Sequence, residues 1–208
     1  MKLVNSKENP PLPQIILASQ SPRRRQILES LGLSFASFSP DVEEVNPTAH
    51  NIDDLIQENA YRKALKVSQT VTRSTDIVVA ADTLVLVDGV VVTKPESPED
   101  GRFILKTFSG RAQTVVSGLV LFSHYYGIRK STVKTEILFH DLNDQQIDEY
   151  LLTKEPYDKA GAYAVQGLGA LFIKKMEGSY TNAMGFPLEQ FLRELNALTQ
   201  IPLYRFFQ

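Results

Sequence analysis

Five consecutive apolar residues, Ile77-Val78-Val79-Ala80-Ala81, run straight into an aspartate at position 82. The run is far too short to cross a membrane. Without polar alternation, it suits a β-strand covered on both faces. Around it, apolar runs alternate with helical patterns. Strand 14–18 leads into helix 22–31, which stops at Gly32, and Phe35 to Phe38 reads as a strand. A long amphipathic helix over 53–70 carries Ile52, Ile56, Ala60, Ala64 and Val67 on one stripe. The strand 76–87 turns at Asp88-Gly89 and returns to Thr93, and Ser97-Pro98 opens a helix to Thr107. Two long strands, 112–124 and 129–139, connect near Gly127, and helix 143–152 starts at an Asn143 cap. The stretch 155–187 reads as glycine-rich loops and strands before a helix over 188–198. Long adjacent strands argue against a purely parallel sheet. The expected class is α/β, with a mixed, twisted sheet and helices on both sides.

Charge and cysteine content narrow the chemistry. The net charge of −2 gives no global attraction for nucleic acid, so any polyanion site is local. With no cysteines, disulfides, thiolate metal sites and a thiol nucleophile are excluded, which fits a cytoplasmic location. No run approaches membrane-spanning length. Residues 1–13 read as a flexible leader, and 14–208 as a single domain.

Between residues 15 and 25 a buried-looking strand passes through a short turn into a helix opened by Ser21-Pro22 and three arginines. Ser21 is a favourable N-cap, and Pro22 sacrifices only an N–H that would have been unpaired. The positive helix end and its free amides bind anions. Arginines in that first turn oppose the helix dipole. They fit a ligand carrying several negative charges, and their forked geometry matches phosphate. A solvated basic helix start is the simpler alternative.

A carboxylate where a buried strand emerges is costly unless it is paired, metal-bound or at a cleft mouth. The hairpin decides what Asp82 faces. A two-residue Asp88-Gly89 turn places Thr83 opposite Lys94. A three-residue loop with Gly89 left-handed places Asp82 there, and that loop is favoured because Gly89 falls where a left-handed residue is needed. Asp82 then serves as a general base, as an oxygen ligand for Mg²⁺, or as half of a plain salt bridge. Asn59 and Lys63, four apart, border the apolar stripe of the long helix. Glu43 and Glu44 lie in an acidic loop with Pro47, either solvated or supplying hard oxygen ligands. No dinucleotide fingerprint, Walker loop, zinc-ligand spacing around His50, His124 and His140, or serine-nucleophile elbow is present.

Taken together, Ser19-Gln20-Ser21-Pro22-Arg23-Arg24, Ala81-Asp82-Thr83, Lys94-Pro95, Ser109-Gly110 and Glu155-Pro156-x-Asp158-Lys159-Ala160-Gly161-Ala162-Tyr163-x-x-Gln166-Gly167 resemble the Maf family of nucleoside triphosphate pyrophosphatases. The resemblance spans residues 14–198. It implies an elongated mixed α/β fold with two lobes around a central cleft, similar to the inosine triphosphatase fold and usually dimeric. It also implies a divalent cation, Mg²⁺ or Mn²⁺, and hydrolysis between the α- and β-phosphates. By resemblance, Asp82 is the general base. Ser19, Ser21, Arg23, Arg24, Lys63 and Lys94 contact substrate, and Glu44 lies with Asp82 near the metal. Arg23, Thr83 and Gln166 match the dTTP/UTP-type branch at the three positions that separate it from the 7-methyl-GTP type. Gln113 and Ala164 depart from the family pattern, which bears on rate and base preference. The expected partners are a nucleoside triphosphate and a second copy of the chain, without nucleic acid or membrane. Modified pyrimidine triphosphates are further candidate substrates. The alternative function is a nucleotide-binding regulator of cell division with little or no catalysis, which would keep the cations without needing Asp82.

Overall fold

The computed structural model describes residues 12–45 and 51–207; most of the expected leader, Pro47 and His50 lie outside them. The elements follow in the order β1 (Ile15–Ala18), α1 (Pro22–Ser30), β2 (Phe35–Phe38), α2 (Ile52–Ser68), β3 (Ile77–Val87), β4 (Val90–Val92) and α3 (Pro98–Phe108). Then come β5 (Ala112–Ser123), β6 (Gly127–Phe139), α4 (Asp144–Leu151), β7 (Ile173–Glu177), α5 (Tyr180–Ala183) and α6 (Leu188–Thr199). Short 3-10 turns fill much of the glycine-rich stretch between α4 and β7.

The strands form one sheet in the order β2-β1-β3-β5-β6-β7, with β4 paired to β3 off that path. β1 is parallel to β2 and β3, and the remaining pairings are antiparallel, so the sheet is mixed as expected. Alternation along β3 separates two cores. Ile77, Val79, Ala81, Val85 and Val87 pack with residues of α1, α3, α4 and α6. Val78 and Ala80 pack with Ala60, Ala64 and Val67 of α2.

Strand order positions the site. From β1 the chain passes through α1 to β2 on one side, then through α2 to β3 on the other. The two connections therefore use opposite faces, and the strand order reverses at β1. Ligands of open α/β sheets bind in the crevice at such a reversal. Pairing of β1 with β3 ends at Leu17 and Val79, while β3 runs on to Val87. Asp82 and Thr83 thus project just beyond the end of β1, with Ser19 and the start of α1 beside them.

The hairpin corrects one expectation. Val85 pairs with Val92, and Val87 with Val90, so the loop is the two-residue Asp88-Gly89 turn. Asp88 (φ 48°) and Gly89 (φ 78°) are both left-handed. Aspartate tolerates that region, which permits the tight turn whose twist matches the strands. Asp82 consequently does not face Lys94. Its cross-strand neighbour is Gly118 of β5.

Candidate active site

Gly118 admits the partners that Asp82 actually has. A side chain there would place its Cβ 2.4 Å from the Ile56 carbonyl oxygen, so glycine allows α2 to lie close against the sheet. One turn further along, Asn59 donates to Asp82 Oδ2 at 3.2 Å; two turns along, Lys63 Nζ reaches Oδ1 at 2.7 Å. All three side chains are buried, so each needs the others. Lys63 also contacts Glu44 Oε1 at 2.5 Å. Asn59 accepts from the Val45 N–H (2.8 Å) and donates to the Val45 carbonyl (3.2 Å), fixing the acidic loop over the helix.

Glu44 and Asp82 therefore converge on one ammonium group. Their hard oxygens suit Mg²⁺ or Mn²⁺. Among the described residues no cluster of three or more His, Cys, Asp or Glu is arranged for a metal. Two carboxylates are fewer oxygen donors than such an ion takes, so these residues alone do not make a full coordination shell.

On the opposite face of β3, Arg24 Nε donates to the Gly185 carbonyl at 2.8 Å, and its other nitrogens reach Ser19 Oγ and Thr83 Oγ1, each at 3.3 Å. Among the described residues these acceptors are all neutral. Burial weakens Arg24's hold on its proton, against the opposing charges of Asp82 and Glu44. Such a cation in a cleft suits an anionic ligand. Ser21 occupies the N-cap position but its side chain makes no capping bond; its N–H donates to Ser19 Oγ at 3.1 Å. Arg23 pairs with Asp158 at 3.4 Å, and Arg25 is exposed over the Phe35 ring.

Ser19, Ser21, Arg23, Arg24, Glu44, Lys63, Asp82, Thr83, Lys94 and Gln166 line one cleft of about 850 Å³, while Asn59 and Arg25 stand outside its lining. Every substrate-contacting position expected from the sequence borders it, as do both candidate metal ligands. Thr83 shares a 2.8 Å hydroxyl contact with Ser117 and lies 3.3 Å from the Gly185 carbonyl. Arg111, in the turn after α3, pairs with Asp88 and does not line the cleft.

Sequence reasoning passed over Ser117, Gly118, Gly185 and the carboxylate of Glu155. Gly118 and Ser117 sit inside a long strand, where nothing local marks them. Gly185 (φ 102°) belongs to the expected glycine-rich tract, but its carbonyl's two donors lie far away in the chain.

The fold and the cleft define an α/β protein with an arginine- and lysine-lined cleft beside an ion-paired aspartate. The chain belongs to the Maf-like protein family, whose profile matches residues 14–198. It is 38% identical over 187 residues to a dTTP/UTP pyrophosphatase of Dictyoglomus thermophilum, covering 89% of this chain and 96% of the relative. A dTTP/UTP pyrophosphatase of Carboxydothermus hydrogenoformans is 40% identical over 187 residues, with coverage of 88% and 97%. One from Acinetobacter baylyi is 40% identical over 172 residues, with coverage of 83% and 92%. Among solved structures, a dITP/XTP pyrophosphatase of Mycobacterium abscessus gives a TM-score of 0.42 at 18% identity, covering 92% of this chain and 99% of that one.

Proposed function

We propose that this protein is a nucleoside triphosphate pyrophosphatase that hydrolyses dTTP and UTP to the monophosphate and pyrophosphate. The observation that carries this reading is the buried Asp82 carboxylate, tied to Asn59 and Lys63 at the sheet's crevice and lining the same cleft as Arg24. The names of the relatives point to the same substrates.

Arg23, Arg24, Lys94 and the first amides of α1 hold the triphosphate, placing fixed positive charge where negative charge accumulates. Asp82 uses one lone pair on each oxygen for Lys63 and Asn59. Its remaining acceptor sites orient a water for in-line attack at the α-phosphorus and receive its proton. Pyrophosphate leaves with the charge that the cations hold. Glu44 and Asp82, with phosphate oxygens and water, would hold a divalent cation whose chemistry there is charge neutralisation at the reacting phosphate. Thr83 and Gln166 offer donors and acceptors to the base edge. A purely regulatory nucleotide-binding protein would need Asp82 only as the counter-ion of Lys63, not as a group that acts on water.

The test is pyrophosphate release from dTTP, UTP, CTP and dGTP with Mg²⁺ or Mn²⁺. Release from dTTP and UTP above the others is expected. No release from any member would leave the regulatory reading in its place.

A further inference from the structure

Glu155 lies on the rim of the cleft and has no part in the chemistry described above. Its Oε1 accepts from the Tyr150 hydroxyl at 2.9 Å and from the Gly169 N–H at 2.8 Å, and its Oε2 accepts from the Leu168 N–H at 3.1 Å. Those amides open the short turn Leu168–Phe172, which starts one residue after Gly167 and two after Gln166. Gly167 is left-handed at φ 82°, and a Cβ there would stand 2.4 Å from Glu155 Oε2. Only glycine lets the backbone approach the carboxylate this closely. The Glu155 main chain is held as well, since its carbonyl accepts from Lys159 Nζ at 2.9 Å.

Gln166 itself is exposed, and among the described residues its side chain makes no hydrogen bond. Its place at the cleft is therefore set by the backbone behind it, and Glu155 fixes that backbone. We propose that Glu155 is a positioning residue for nucleobase selection, seating the Gln166–Gly169 loop so that the Gln166 amide faces the base. The proposal rests on the dTTP/UTP reading of this cleft and extends it to a residue that does not itself read the base. A carboxylate accepts both loop amides at once; glutamine at 155 keeps one acceptor oxygen, and alanine keeps none.

Steady-state kinetics with dTTP, UTP and CTP on the parent, Glu155→Ala, Glu155→Gln, Gln166→Ala and the Glu155→Ala/Gln166→Ala double variant test this. In Glu155→Ala the kcat/KM preference for dTTP and UTP over CTP falls by about tenfold or more, chiefly through KM, as for a misplaced binding group. Glu155→Gln recovers part of the loss. The double variant loses no more preference than Gln166→Ala alone, because two residues acting through one contact are not additive. Hydrogen exchange at the Leu168 and Gly169 amides accelerates in Glu155→Ala. Additive losses of preference, or an unchanged preference or exchange rate in a folded Glu155→Ala, would overturn the proposal. Should Glu155→Ala fail to fold, Glu155→Gln and Gly167→Ala carry the same comparison. A parent that releases no pyrophosphate refutes the hydrolase reading instead, and dTTP and CTP affinities by calorimetry then carry the same cycle.

Discussion

Arg24 spends all three of its guanidinium nitrogens on neutral oxygens of Gly185, Ser19 and Thr83. Lysine could not reproduce that fork. The arrangement ties the arginine end of the cleft to Thr83, a position expected to set base preference. Arg23 is held differently, through Asp158 at 3.4 Å. Desolvation pushes the Asp158 carboxyl up, but its hydrogen bond to Lys159 and the charges of Lys159 and Arg23 outweigh this and hold it below its ordinary value of 3.8. The folded chain thus takes up this proton less readily than the unfolded chain. The Asp158 contribution is whole above about pH 4 and is lost as pH falls through the lower folded value. Because Asp158 is exposed, its share of stability is small. In urea unfolding, Asp158→Asn should therefore lose stability less steeply below about pH 4 than the parent does. Equal slopes would mean that the pair carries no linkage.

At the scale of elements, the approach of α2 to β5 over Gly118 decides whether Asn59 and Lys63 reach Asp82. Gly118→Ala forces a Cβ against the Ile56 carbonyl, a backbone atom that cannot swing aside. The expected cost is about 1–3 kcal/mol by denaturant unfolding, within the range for overpacked cores. A variant as stable as the parent would refute the close-approach account. That Asn59 and Lys63 share one line of α2 was legible from helical spacing; a site role for Lys63 came only from the family resemblance, and Asn59 as a partner of Asp82 was not foreseen. The mixed sheet was legible from the apolar run at 77–81 and the long adjacent strands. What faces Asp82 was not, because it depends on a one-residue choice between hairpin loops, and Asp88 accepted a left-handed conformation that glycine alone was expected to fill. The role of Glu155 was hidden for another reason. Its motif was visible, but the two loop partners it holds are main-chain amides 13 and 14 residues away, which carry no side-chain signature.

For the molecule as a whole, strand order does what no single motif does. Reversal at β1 opens a crevice at its end, α1 brings cations to one face of β3, and α2 brings Lys63 and Asn59 to the other. Asp82 and Thr83, adjacent in sequence and opposite in direction, sit where the two faces meet. Catalysis in such a site is positioning plus electrostatic stabilisation around one carboxylate. In the proposed reaction Asp82 acts on water and is not merely the counter-ion of Lys63. The measurement is pyrophosphate release from dTTP by Asp82→Asn, with dTTP affinity measured in parallel by calorimetry. Turnover should fall about 10²-fold or more, the scale of a lost general base, while dTTP still binds. Near-parent turnover in the folded variant would contradict the assignment.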